Sequence, residues 1–484
     1  MKGNLSSTIG SSVQGVQAWF RPPRVVSDAI ARYGGILAFG LLGAILTIDI
    51  TLIGGLLALV IVPILLTVTP FFFGYLSASS GLVADIVSDV RQGAVHGALT
   101  AVLSVVIAII FLGIMDQLNL MKLAVDLNVL TIVGLIIVTG TCAWSGAAGG
   151  ISAARYPVWG RRVMRFVRQN ALQLGIIGVA IALWDVFVFG APSVFLRTNI
   201  YQAFMTSTPY WGVIAMPLTM VIIAGEIDLS FTSIMAVGMV GFWEVYSWTN
   251  SLGVAMGGAL LAGFLVGLLN GVIVVQLGIP SLIATIGTQF FWRGVVQVVR
   301  NGQGQSLIVT QGSVLREVLV GRVQITSGFY IPAQALWMIL VAVVAWILLN
   351  RHKFGAHTYL IGDNEASARL MGVNVDRTRM LLFALVGLAA AFGGVISSVQ
   401  VRFFWTSLGE GYLLNTLAAV FLGGTYVFGG TGTILGTFVA CFIIAAIPPG
   451  IIAIGLTDYW TNLINGLAIT AAVAMHAMIR RRME

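Results

Sequence analysis

Apolar runs and short polar interruptions alternate along the whole chain. The runs fall near 33–49, 52–75, 95–115 and 127–150, and again near 171–190, 209–226, 231–249, 253–276, 281–300, 333–349, 380–400, 411–424, 432–448 and 459–478. Most approach or exceed the ~20 residues that a helix needs to cross a bilayer core. Barrel strands would instead alternate apolar and polar positions over ~10-residue stretches. Long apolar runs joined by short polar loops mark helices, whose backbone bonds are satisfied within each span. The pattern predicts an all-α polytopic membrane protein with about 14 transmembrane helices.

The interruptions are not alike. Residues 1–31 form a polar tail with Lys2, Arg21 and Arg24, and Trp19 and Phe20 suit an interface. With no short apolar core before a cleavage site, no cleaved signal peptide is expected. Residues 151–170 carry Arg155, Arg161, Arg162, Arg165 and Arg168, interleaved with Trp159, Val163, Phe166 and Val167. That spacing predicts an amphipathic helix on the inner membrane surface, or plain anchoring by positive charge. It divides the chain into a tail with four spans (1–150), a basic interfacial linker (151–170) and the remainder (171–484). Further basic clusters stand at Arg351-His352-Lys353, at Arg369, Arg377 and Arg379, and at Arg480-Arg481-Arg482. Even numbers of spans place all of them on one side. The positive-inside rule makes that side cytoplasmic, with both termini. The 301–332 loop then lies outside, either packed on the spans or facing an outer partner.

Composition adds constraints. Only 9% of the residues are charged, against about a quarter in soluble domains. The net charge of +8 gathers in the inner loops. It therefore reports orientation in the lipid bilayer, and no interleaved basic and aromatic surface suits nucleic acid. The 58 glycines favour close helix–helix approach. Cys142 and Cys441 both fall in apolar runs and read as small core residues.

Two apolar stretches are broken. One reads Ala224-Gly225-Glu226-Ile227-Asp228-Leu229-Ser230. The other reads Leu422-Gly423-Gly424-Thr425-Tyr426-Val427-Phe428-Gly429-Gly430-Thr431-Gly432-Thr433. Each is followed later by a Pro/Gly interruption, Gly278-Ile279-Pro280 and Pro448-Pro449-Gly450. Breaks at matching places in two halves mark a transporter built from repeats, and the freed backbone must be buried in protein or line a cavity. Asp228 reads as a helix cap before it reads as a ligand. Glu226 reads as a solvated acid at the outer surface or, with Asp228, as an intramembrane ion site. Asn270, Gln276, Gln289 and Asn415 read as interhelical hydrogen-bonding groups, and Arg293 and Arg300 as snorkelling ends of a span. Phe403, Phe404 and Trp405 read as an interfacial belt.

Leu360–Gly372 is a polar island among these spans. Asp363 and Asn364 suit a helix N-cap, Glu365 the first turn, Arg369 the last turn and Gly372 the stop. The segment predicts a capped helix ~10 Å long, either a solvated loop or a handle for a soluble partner. No Gly-x-x-x-x-Gly-Lys-Ser/Thr loop, metal-ligand cluster or nucleophile elbow occurs in the sequence. No catalytic residue is expected, and uphill transport would draw on an ion gradient or another subunit.

Residues 171–480 resemble the permease subunits of bacterial ABC importers of the ribose, xylose and galactose type, within the branched-chain amino-acid and sugar permease family. The resemblance is carried by Gly225-Glu226-Ile227-Asp228-Leu229-Ser230, Leu268-Leu269-Asn270-Gly271, Pro280-Ser281-Leu282-Ile283-Ala284-Thr285-Ile286-Gly287-Thr288, Phe354-Gly355, Ile361 to Val373, and Leu422-Gly423-Gly424-Thr425. Asp363 and Glu226 stand where the family often has glycine. The resemblance implies a ten-helix permease acting as a dimer, with ABC ATPase subunits on its cytoplasmic face and an extracytoplasmic substrate-binding protein outside. ATP and Mg would bind the ATPases, leaving this chain without cofactor, metal or enzymatic role. It implies that Asn364, Glu365, Ala366, Ser367, Ala368, Arg369 and Gly372 form the ATPase-coupling helix. Gly225, Glu226, Asp228, Ser230, Asn270, Gly423, Gly424 and Thr425 are the expected path and break residues. A monosaccharide, or a nucleoside, polyol or autoinducer-like sugar, is the expected solute, and an ion-coupled transporter is the other class. The four spans before residue 151 lie outside the resemblance.

Overall fold

The computed structural model describes residues 90–117, 191–326 and 329–453 continuously, with scattered positions within 75–77, 139–188 and 455–470. The expected polar tail, the spans near 33–49, 52–75, 127–150, 171–190 and 459–478 and the basic helix over 151–170 lie wholly or largely outside the described residues. The chain divides into two compact units, residues 1–171 and 172–484.

In the first unit one helix covers Val90–Gln117, bracketing the expected 95–115 span. It meets the 139–152 stretch backbone to backbone. A Cβ on Gly97 would sit 2.0 Å from Gly146 O, and one on Gly150 would sit 1.8 Å from Gly93 O. Glycines four apart on both partners permit that approach.

The second unit holds α1 (Thr198–Ser207), α2 (Pro209–Ile223), α3 (Phe231–Thr249), α4 (Leu252–Gln276), α5 (Ser281–Arg300), α6 (Val314–Val320), α7 (Ala333–Asn350), α8 (Lys353–Asp363), α9 (Glu365–Leu370), α10 (Val375–Val401), α11 (Leu413–Leu422) and α12 (Ile434–Ala453). Local chemistry sets their ends. Pro209 opens α2, where a first-turn N–H is dispensable. Ser251 caps α4, and Asn250 and Asn301 close α3 and α5 in the left-handed conformation.

Among the described residues, α4, α5, α7, α10 and α12 are each long and apolar enough to cross a bilayer, five in all. The pair α1–α2, bent by 54°, makes a sixth if taken as one span. By itself α2 has 15 residues and α11 has 10. At ~1.5 Å per residue both fall short of the ~30 Å hydrocarbon core. The run near 411–424, expected to span, is thus a half-helix. The expected break at Pro448-Pro449-Gly450 is absent too, because α12 continues through both prolines to Ala453. There Ile447 and Ile451 are buried and Gly450 lies against the Phe187 ring, so packing holds the proline-weakened turn.

The core is centred on α2, α3 and α10, where Met216, Met220, Ile222, Phe231, Phe242 and Phe383 are fully buried. α4 and α10 run antiparallel at backbone contact. A Cβ on Gly387 would lie 2.2 Å from Gly263 O, one on Gly267 2.4 Å from Phe383 O and one on Gly271 2.7 Å from Met380 Cα.

The 301–332 loop is packed on its own unit. It contributes β1 (Gln305–Ser306) and the hairpin β2 (Arg322–Thr326) and β3 (Phe329–Pro332). β1 pairs antiparallel with β4 (Phe403–Phe404), Gln305 opposite Phe404. Arg316 donates to Val399 O, and Arg402 Nη1 donates to Gln311 Oε1 at 3.1 Å. Phe404, expected in an interfacial belt, is fully buried by this seam, whereas Phe403 stays exposed.

Candidate functional site at two helix breaks

Both breaks are made by the same backbone device. After α2, Gly225 takes φ +83. Its N–H donates to Ile222 O at 2.9 Å, and the next N–H, of Glu226, donates to Val221 O at 3.1 Å. After α11, Gly424 takes φ +88, its N–H donates to Phe421 O at 3.0 Å, and Thr425 N donates to Val420 O at 3.2 Å. These are paired Schellman bonds around a left-handed residue, a conformation that glycine adopts without a Cβ penalty. The halves, only weakly alike in residue type, share this stop.

Neighbouring helices satisfy the first break. Ile227 N donates to Ser281 Oγ at 3.0 Å, and Thr285 Oγ1 donates to Ile227 O at 3.3 Å, so the first two turns of α5 serve the opened backbone. Asp228 Oδ1 accepts from Ser230 N at 2.9 Å and Ser230 Oγ at 2.6 Å, and Asn270 Nδ2 on α4 donates to Ser230 Oγ at 2.6 Å. Asp228 therefore braces the turn into α3, while Ser230 holds the cap position itself. Asp228, Ser230 and Asn270 are fully buried, and Asp228 Oδ2 and Asn270 Oδ1 have no hydrogen-bond donor among the described residues. Two acceptors are thereby left open inside the unit.

The breaks also meet each other. Gly430 N donates to Ile223 O at 2.8 Å. Helix α8 rests on this junction: a Cβ on Gly362 would fall 1.7 Å from Ile223 O and 2.6 Å from Gly430 N, and Tyr359 OH donates to Gly432 O at 2.8 Å. Gly423 packs on Thr437 of α12. Thr425 is buried nearby, its hydroxyl unbonded, and no hydrogen bond among the described residues joins it to Asp228 or Asn270.

The polar island forms two helices where the sequence predicts one. Asp363 closes α8. Asn364, extended at φ −157, caps α9 by accepting from Ser367 N at 2.9 Å, and Gly372 at φ +80 ends it. Ala368 is buried, whereas Ala366, Ser367 and Arg369 are exposed and Leu370 stands 90% exposed at the tip.

Ion pairs run from this helix into the first break. Arg369 Nη2 lies 3.0 Å from Glu365 Oε1 and 2.5 Å from Asp376 Oδ1, while Arg379 Nη2 lies 2.8 Å from Glu365 Oε2 and Arg379 Nε 3.0 Å from Glu226 Oε1. Glu226 is therefore at the same end of the unit as α9. That corrects the reading of Glu226 as an acid at the opposite, outer surface. The reason is the turn at Gly225, which delivers Glu226 to the N-terminal end of α10, where Arg379 balances it. Arg379 registers in the sequence only as one more inner positive charge.

Glu365 also gives a pH dependence. Partial burial pushes its carboxyl up, but the hydrogen bond from Arg369 and the charge and hydrogen bond of Arg379 outweigh that and hold it below the ordinary value. Because its folded value lies below the unfolded one, the tie is present above about pH 4.3 and is lost as pH falls through the depressed value. The amide protection factors of Glu365–Leu370, corrected for the intrinsic pH dependence of exchange, are expected to be constant above about pH 4.3 and to fall only as pH drops below that ordinary value. Protection independent of pH down to about 3 would show that the carboxylate does not hold α9.

Arg293 behaves unlike a snorkelling residue. It is buried at 8% exposure, and its guanidinium donates to Thr406 O at 2.5 Å, Thr232 O at 2.9 Å and Leu408 O at 3.0 Å, with Glu410 at 3.3 Å. It stitches α5 to α3 and to the loop before α11. Its distance from the span's end was legible, but the three carbonyls that it serves were not.

Apolar helices around two glycine-stopped half-helices, with the freed backbone served by protein, define a multi-pass transmembrane permease. The chain belongs to the family described as branched-chain amino acid transport system, permease component, which matches residues 200–473. It is similar to the ribose import permease protein RbsC of Escherichia coli strain K12, 32% identical over 284 residues that cover 58% of this chain and 87% of the relative. It is also similar to the autoinducer 2 import system permease protein LsrC of Klebsiella pneumoniae, 31% identical over 312 residues, 64% of this chain and 87% of that one. The LsrC of Enterobacter sp. strain 638 is 30% identical over 302 residues, 62% of this chain and 85% of its own length. No solved structure matches the chain. Residues before 200 lie outside the family match.

Proposed function

We propose that this chain is the membrane-spanning permease subunit of an ATP-driven ABC importer, carrying a monosaccharide or related polar solute across the inner membrane. The observation that carries the reading is that α8 rests on both breaks and runs directly into α9, a capped helix with an exposed apolar tip. A soluble ATPase gripping α9 would therefore reach both breaks. Asn364 to Arg369 and Gly372 form the coupling helix. Gly225, Glu226, Asp228, Ser230, Asn270, Gly423, Gly424 and Thr425 shape the path, and the open acceptors on Asp228 and Asn270 suit the hydroxyl donors of a polyhydroxylated solute. The full protein has about 14 spans with both termini cytoplasmic. It works as a permease dimer with two ATPases, which bind ATP and Mg, and with an extracytoplasmic substrate-binding protein.

The resemblance to RbsC supports a sugar, and the resemblance to LsrC supports an autoinducer-like sugar as the second reading. An ion-coupled mechanism has less support, since Glu226 is neutralised by Arg379 and one oxygen of Asp228 is taken by Ser230. Vesicles containing the complex are expected to take up radiolabelled ribose or autoinducer 2 with ATP and no ion gradient. Glu365→Arg turns the bonds to Arg369 and Arg379 into repulsion. It is expected to insert normally and to lower ATP-driven uptake about ten-fold or more. Wild-type uptake in that variant would falsify the coupling role of α9.

A further inference from the structure

We propose that Arg379 is the positioning residue that transmits movement of α9 to the first break. This rests on the reading of α9 as the ATPase-gripped helix. The guanidinium holds Glu365 of α9 with Nη2 at 2.8 Å and Glu226 of the break with Nε at 3.0 Å. Beside the seat of α8 on Ile223 and Gly430, it is a side-chain bridge between two elements that no backbone hydrogen bond joins directly among the described residues. Its own helix, α10, is the most buried of the candidate spans, so the bridge stands on a firm base.

Three features fit a transmitting contact better than a staple. First, the pair is well shielded, with Arg379 and Glu226 side chains 17% and 12% exposed, so salt screens it little. Second, the Arg379 Nε–H makes no directed hydrogen bond despite its 3.0 Å distance from Glu226. The contact with Glu226 is thus an ion pair, while Nη2 makes the directed bond to Glu365. Third, Glu226 directly follows Gly225, the positive-φ residue at which α2 stops, and its own N–H closes that stop on Val221 O, so a pull on its side chain acts on the break itself. Arg369 and Asp376 make a separate surface bridge between α9 and α10 that bypasses the break. That branch can hold α9 in place when the Arg379 branch is cut. Because Gly430 N is bonded to Ile223 O, a pull on the first break also reaches the second.

The test uses the full chain co-purified with its ATPase and carrying a nitroxide at Phe428→Cys. Phe428 is 71% exposed on the second break, whereas Cys142 and Cys441 are buried. The probe is ATP with vanadate, so no transported solute is needed. The wild-type label is expected to change its spectrum on nucleotide trapping. Arg379→Gln is expected to keep the ATPase bound within about two-fold yet to lose that change by about five-fold or more. Glu226→Gln, which leaves the Arg379–Glu365 arm intact, should lose it similarly. The double variant should lose no more than Arg379→Gln alone, the non-additivity of one shared path. Arg379→Lys should restore about half of the response or more. An unchanged response in Arg379→Gln or Glu226→Gln overturns the proposal. Loss of the ATPase from Arg379→Gln overturns it in favour of a staple. A wild-type chain that captures no ATPase overturns the importer reading, and the relay with it.

Discussion

Alanine at position 362 is expected to lower the thermal midpoint of the detergent-solubilised protein by several degrees and to abolish uptake in the vesicle assay of the proposed importer. The new methyl carbon would stand 1.7 Å from Ile223 O and 2.6 Å from Gly430 N. Neither neighbour is the free end of a side chain; both are backbone atoms of the junction between the breaks. Relief requires α8 to lift away, which also strains the Tyr359–Gly432 bond. Overpacking by added methylenes usually costs about 1–3 kcal/mol, and a backbone clash places this one at the top of that range. Gly257→Ala is the matched control, since a Cβ there meets nothing within 4 Å. Being in a helix interior, it is expected to be neutral or to stabilise by up to about 1 kcal/mol. Equal midpoints for the two alanine variants would mean that α8 is not seated on the breaks.

Arg293→Met is expected to destabilise the protein by about 3–5 kcal/mol, the range for removing one partner of a buried charge network. Three carbonyls, Thr232 O, Thr406 O and Leu408 O, would lose their donor, and Glu410 would lose its counter-charge. Arg293→Lys preserves the charge but not the fork, because an ammonium cannot span three separated carbonyls. It should recover only part of the loss. Thermal midpoints of the two variants measured side by side decide the matter. If lysine equals arginine, the charge alone matters; if methionine equals arginine, the carbonyls are satisfied by other means.

What the sequence shows and what it hides divide along physical lines. The limits expected at 231–249 and 281–300 coincide with α3 and α5, of which α5 is a candidate span, because helices stop where apolar pattern and capping chemistry both change. The α9 cap was legible because Asn364, Glu365, Arg369 and Gly372 act on their own backbone within one turn or two. The half-helix α11 was not, since an apolar run says how hydrophobic a segment is and not how deep it goes. The prolines of α12 misled for a related reason: a proline marks a weakened turn, and only packing decides whether the turn breaks. Glu226, Arg379 and Arg293 were misread because their partners lie far away in sequence. Opposite charges 153 residues apart, like Glu226 and Arg379, leave no local pattern. Ser281 and Thr285 lay within a matched motif, yet their service to Ile227 needs the third dimension.

The interlock of α4 with α10 limits how the protein can rearrange. Gly263, Gly267 and Gly271 leave no gap between the two backbones. An axial slide would drive Val266 or Asn270, buried on the same face of α4, towards carbonyl oxygens that now face bare glycine Cα atoms. The pair therefore behaves as a single stiff beam with no internal degree of freedom along its axis. Any rearrangement of the unit is carried by elements hung on that beam, and the beam itself sets the fixed frame against which their excursions are measured.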